Sequence, residues 1–112
     1  MWHEDELGDE QIWRERGYAA IDLDLLEFVS RYAGTPIKWD IITFFAENPY
    51  SRDVASNIAG RIGRSESVVF RELEDLVLLG LLEKSWLADS YVYRVSIGAD
   101  RWRVLARFAA TF

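Results

Sequence analysis

Residues 58–82 read IAGRIGRSESVVFRELEDLVLLGLL, and the spacing of apolar residues and glycines in this stretch decides the fold. Ile58, Ala59 and Ile62 stand at i, i+1 and i+4, one buried stripe on a first helix. Gly63 follows where a helix ends in the left-handed conformation. Val69, Leu73 and Leu76 then repeat at i, i+4 and i+7 on a second helix that opens at Ser65 or Ser67. Gly80 stops it, and Leu81 and Leu82 lead into a strand. Two crossed helices joined by a short turn satisfy all of these positions at once.

Downstream, LLEKSWLADSYVYRVS holds two short runs rich in aromatic and β-branched residues around Ala88, Asp89 and Ser90, the pattern of a hairpin. Upstream, Thr35 and Pro36 supply an N-cap and a first helical residue for a helix carrying Ile37, Ile41, Ile42, Phe44 and Phe45, which Asn48 and Pro49 close. Residues 21–33 place Leu25, Leu26, Val29, Tyr32 and Ala33 on one helical stripe, with Asp22 and Asp24 near the N-terminal dipole and Gly34 ending it. At the other end, Trp102, Leu105, Phe108, Ala109 and Phe112 line one side of a last helix while Arg101, Arg103 and Arg107 lie mostly off it.

The order helix, helix, turn, helix, hairpin over residues 36–96 resembles the winged helix-turn-helix domains of bacterial and archaeal transcriptional regulators, especially the short-winged arsenic-repressor and multiple-antibiotic-resistance types. The residues that carry the resemblance are Ile58-Ala59 with Ile62-Gly63, Leu73 with Leu76, Gly80-Leu81 before Glu83-Lys84, and the returning strand Tyr91-Val92-Tyr93-Arg94. They cover about half of the chain. The expected architecture is mainly α with a small β-hairpin: an acidic arm over residues 1–20, and a domain over residues 21–112 whose winged core, 36–96, is flanked by an extra helix at each end.

Composition sets the bounds. With 112 residues, half of them hydrophobic, and five tryptophans, the chain has enough apolar surface for one core. The absence of cysteine excludes disulfides, thiolate metal sites and cysteine nucleophiles, and fits the reducing cytoplasm, the expected location. No apolar run approaches the ~20 residues of a membrane helix, and the opening MWHEDELGDE lacks the basic-then-apolar pattern of a secretory leader.

Net charge is −6, unevenly placed. Residues 1–32 hold nine acids against three bases, residues 33–96 nine acids against seven bases, and residues 97–112 three arginines against one aspartate. The winged segment is therefore near neutral, where phosphate binding favours a basic surface.

The resemblance implies a small dimeric regulator that binds duplex DNA through its second helix, where side chains read base edges in the major groove. That face carries Glu66, Ser67, Val68, Phe70, Arg71 and Glu74 here, of which Ser67 and Arg71 suit the task. Arg64 in the turn and Arg52 ahead of the first helix reach toward phosphates, and Lys84 and Arg94 on the wing toward the backbone; for the last two, pairing with Glu83 is the competing use. Glu66 and Glu74 repel phosphate, and the tip reads Leu-Ala-Asp-Ser where such wings carry a base. The competing reading is a winged-helix module that binds protein and never touches DNA. Val77, Leu78 and Leu79 leave the last turn of the second helix apolar, so it needs cover from the terminal helices or from a partner. The expected interface residues are Phe70, Val77 and Leu78 on that helix and Leu25, Trp102 and Phe108 on the flanking helices, through which the resembled family dimerises. His3, the only histidine, stands in a charged tail; no catalytic constellation, phosphate loop or metal-ligand spacing occurs, and no cofactor is expected.

Overall fold

The computed structural model describes residues 22–96 and 99–112; the arm expected over residues 1–20 lies outside them. The described residues form a mainly helical unit with one two-stranded antiparallel hairpin. Helix α1, Leu23–Tyr32, is capped by Asp22, whose carboxylate accepts from the Leu25 amide at 3.0 Å. Helix α2, Pro36–Glu47, opens with Thr35 Oγ1 accepting from the Lys38 amide at 3.1 Å, and Asn48 closes it by donating to the Phe44 carbonyl.

Helix α3 spans Ala55–Ile62 and helix α4 Glu66–Leu78. Gly63 between them has φ +71°, a conformation that disfavours any residue with a Cβ, and it brings the Arg64 amide back to the Ala59 carbonyl at 3.0 Å. Ser65 occupies the N-cap position of α4 but its hydroxyl makes no capping bond. Gly80, φ +85°, ends the α4 region, and the Leu81 amide reaches the Leu76 carbonyl at 3.0 Å. Strands β1, Leu82–Leu87, and β2, Ser90–Val95, pair antiparallel from Leu82 opposite Val95 to Leu87 opposite Ser90. The connecting residues Ala88 and Asp89 both have positive φ, +49° and +65°, which makes the turn type I′, the hand that matches strand twist. Asp53 adds one bridge to β2, exchanging two backbone hydrogen bonds with Tyr93 at 3.1 and 2.8 Å.

Helix α5, Ala99–Thr111, packs on α1 and α2. Leu105 and Phe108 are buried there, Phe108 lying 6.0 Å from the Phe28 ring and 5.0 Å from that of Trp39. The core joins Ile41, Phe45, Ile58, Leu73, Leu76 and Tyr93, nearly all without solvent contact; each such side chain contributes about 1.5–3 kcal/mol by leaving water. In α1 the buried stripe is Leu25, Phe28 and Tyr32, and Leu26, expected inside, is half exposed. The helix is rotated because Phe28 has Tyr32 and Phe108 to stack on and outbids the smaller leucine. Among the described residues no helix is long and apolar enough to cross a membrane.

A candidate contact face on helix α4 and the hairpin

Helix α4 presents three flanks besides its buried side. Val69, Leu73 and Leu76 are buried. Helical spacing places Glu72 and Asp75 toward α2, Phe70, Glu74 and Val77 toward the hairpin, and Ser67, Arg71 and Leu78 on the ridge opposite the core. Contacts agree with this placement. Lys38 of α2 sets its Nζ 3.0 Å from Glu72 and 2.5 Å from Asp75, and these partners hold its pKa above the ordinary 10.5: Asp75 raises it most, burial opposes, and Glu72 adds.

On the hairpin side, Glu74 accepts from Lys84 Nζ at 2.6 Å and from the Tyr93 hydroxyl at 2.5 Å. Burial pushes the Glu74 carboxyl up, but these two donors outweigh it and leave the pKa below 4.5. The same arrangement raises the pKa of the Tyr93 hydroxyl, through burial first and the neighbouring carboxylate second. Lys84 also lies over the Tyr91 ring, 4.4 Å from its centroid. Glu74 thereby ties α4 to both strands and fixes the angle at which the hairpin leaves the helix.

The six basic or polar residues expected at DNA divide in two. Arg52, Ser67 and Arg71 are exposed and make no ion pair or side-chain hydrogen bond among the described residues. Arg64, Lys84 and Arg94 are each engaged by a carboxylate: Arg64 by Asp40 at 2.7 Å, Lys84 by Glu74, and Arg94 by Glu83 across the hairpin at 3.0 Å. The Arg94 pairing follows from the register, which sets Glu83 opposite it. Asp40 and Glu74 as partners were not legible, because their contacts join elements 24 and 10 residues apart in the chain.

The residues expected to form interfaces also divide. Leu25 and Phe108 are inside the chain's own core, which corrects their assignment to a surface between copies: α1 and α5 spend these side chains on each other and on α2. Trp102 and Val77 are partly buried against that core, with Trp102 stacked on Tyr50 at 5.2 Å. Phe70 and Leu78 are exposed, Leu78 to 84%. The hairpin adds Trp86, Leu87 and Tyr91, all exposed, with Trp86 and Tyr91 edge-to-face at 4.9 Å. Alternation places Trp86 and Tyr91 on the same hairpin face as Lys84 and Tyr93, the face turned to α4.

Elsewhere, a cleft of about 620 Å³ between α1 and α5 is lined by Phe28, Tyr32 and Val104 with Asp24, Arg31 and Arg103. Its further arginine, Arg107, is paired with Asp22 and Asp24, so the lining mixes both signs. Among the described residues no group of three or more histidines, cysteines or carboxylates is placed to hold a metal ion. No protein-family model matches the chain, and no curated protein matches it in sequence.

Proposed function

We propose that the chain is a winged helix-turn-helix protein that binds duplex DNA through α4 and regulates transcription. The observation that carries this reading is the outward ridge at the start of α4, where Ser67 and Arg71 stand exposed one turn apart on a helix that α2, α3 and the hairpin hold from behind. A helix 13 residues long whose outward face is exposed over its first two turns enters a major groove, and arginine there pairs with guanine by two hydrogen bonds. Arg52, exposed ahead of α3, serves as a phosphate contact. Arg64, Lys84 and Arg94 contribute only as far as phosphate displaces Asp40, Glu74 and Glu83, and water already screens these pairs.

A labelled mixed-sequence duplex titrated at about 50 and about 200 mM salt tests the reading by fluorescence anisotropy, since phosphate-driven binding weakens over that interval. Arg71→Ala is expected to lower affinity about tenfold with the fold retained, the lower end of one lost base contact. Absence of binding at the lower salt would sink the DNA reading. The second reading, a protein-binding module, is favoured by the exposed aromatics Phe70, Trp86 and Tyr91, which suit a protein surface better than a groove lined by phosphates.

A further inference from the structure

The outer edge of β1 is an unused hydrogen-bonding surface. In an antiparallel ladder each residue directs its N–H and C=O to one side only, and the sides alternate along the strand. Tyr93 spends both groups on Asp53, so opposite Lys84 it occupies a non-hydrogen-bonded position. Alternation then turns the N–H and C=O of Lys84 and Trp86 away from β2, to an edge that no other strand meets among the described residues. Around that edge Lys84, Ser85, Trp86 and Leu87 are exposed, Trp86 to 62% and Leu87 to 58%.

Charged side chains normally guard such an edge by repelling a second strand. Here both guards are neutralised within the chain, Lys84 by Glu74 and Glu83 by Arg94. We propose that β1 pairs with β1 of a second copy, antiparallel across a two-fold axis at Ser85, joining two hairpins into one four-stranded sheet.

The register follows from the alternation, because outward groups must meet outward groups. Lys84 opposite Lys84 of the second copy would set Trp86 against Leu82, which is already buried in the chain's own core. Trp86 opposite Trp86 would push Lys84 onto Ala88, whose positive φ belongs to the turn and offers no ladder. The intermediate register avoids both. It pairs Lys84 with Trp86 in both directions, places an ammonium beside an indole face, and brings the small Ser85 opposite its own copy at the close, non-hydrogen-bonded position. In this register the edge is self-complementary in hydrogen bonding, and the second copy supplies the partner for each Lys84 and each Trp86. The proposal stands independently of DNA binding and places the contact between copies on the hairpin, away from α1 and α5.

The chain contains no cysteine, so Ser85→Cys makes a reporter with a single thiol. Close cross-strand pairs hold Cβ atoms about 4.5–5.5 Å apart, near the separation a disulfide spans, whereas Leu87→Cys would face Glu83 and not itself. Under mild oxidation Ser85→Cys is expected to give a covalent dimer and Leu87→Cys no covalent dimer. In sedimentation velocity at about 0.2 mM the unmodified chain is expected as a dimer, a concentration that populates any dimer of lower Kd. Trp86→Pro is expected to be monomeric, because it removes an N–H that points to the outer edge and leaves the ladder to β2 intact. Circular dichroism establishes that this variant is folded. A monomeric unmodified chain, a folded Trp86→Pro dimer, or equal cross-linking of the two cysteine variants would overturn the proposal. If Trp86→Pro fails to fold, the cysteine pair decides alone.

Discussion

Replacing Lys38 by methionine isolates the clamp that seats α4 on α2. The side chain is 13% exposed and its ammonium touches Glu72, itself 19% exposed, and Asp75, 47% exposed. Methionine keeps most of the buried stem and removes the charge. The Asp75 contact, open to water, contributes about 0–1 kcal/mol. The Glu72 contact contributes more to stability because both groups are mostly covered: removing the ammonium leaves a covered carboxylate without a cation, a penalty of about 1–3 kcal/mol. Destabilisation by about 2 kcal/mol is expected, a fall in Tm of about 10 °C for a domain of this size. Thermal and urea unfolding at neutral pH, followed by far-ultraviolet circular dichroism, measure it. Adding Glu72→Gln is expected to recover part of the loss, since the orphaned charge goes with it. The pKa of Lys38 is raised above 10.5, so the stabilisation is fully present below the unfolded value and disappears as pH rises through the folded one. The gap between the two proteins should hold from neutrality to about pH 10 and close above it. A loss under about 0.5 kcal/mol, the ordinary range for surface changes, would refute the clamp.

Ala88→Gly should stabilise the chain, because alanine at φ +49° pays a left-handed cost of about 1–2 kcal/mol, of which glycine's extra unfolded-state entropy cancels about 0.4–1. A rise in Tm of about 4 °C is expected in a thermal melt, and a fall would show that the turn is not type I′. Phe108→Ala should cost about 3–5 kcal/mol in urea unfolding, as for any large buried side chain, whereas a residue serving only an intermolecular contact would leave the monomer's stability unchanged. For DNA, Arg52 and Arg71, the two expected contact arginines without a carboxylate partner among the described residues, predict a shallow salt dependence, a log–log slope of about −2 per chain, which Arg52→Ala and Arg71→Ala each flatten by about 0.9. A slope of about −4.5 would mean that Arg64, Lys84 and Arg94 are recruited as well.

Local signals were legible where a single residue type answers a single backbone need. Thr35 before Pro36, Gly63 between two periodic helices and Ala88-Asp89 between two strand-like runs mark boundaries that the structure keeps, because caps and turns are settled within a few residues. The rotation of α1 was not legible: Leu26 and Phe28 both satisfy an amphipathic pattern, and only the aromatic neighbours Tyr32 and Phe108 select between them. Nor was the fate of the flanking helices, whose apolar stripes read equally well as surfaces between copies and as surfaces between α1, α2 and α5. The basic residues carried the same ambiguity. Arg64, Lys84 and Arg71 look alike in the sequence, and it is the approach of Asp40 and Glu74 that takes the first two out of the free positive charge.

The Glu74 cluster joins the mechanical and the electrostatic sides of this molecule. A two-stranded hairpin is marginal in water by itself and needs a second element to hold its direction. Glu74 supplies that hold by receiving Tyr93 from one strand and Lys84 from the other, and Asp53 adds the backbone bridge at the same level. The hold consumes a cation that would otherwise attract phosphate, and it places a carboxylate beside the ridge of α4. Stiffness between helix and hairpin is thus obtained at the expense of positive potential. Under the DNA-binding proposal, affinity then comes from geometry at Ser67 and Arg71 and from the proposed pairing of two copies, each adding its ridge, more than from a basic field. The neutralised edge of β1 is the other consequence of the same contact, since the ammonium that binds Glu74 no longer repels a neighbouring strand.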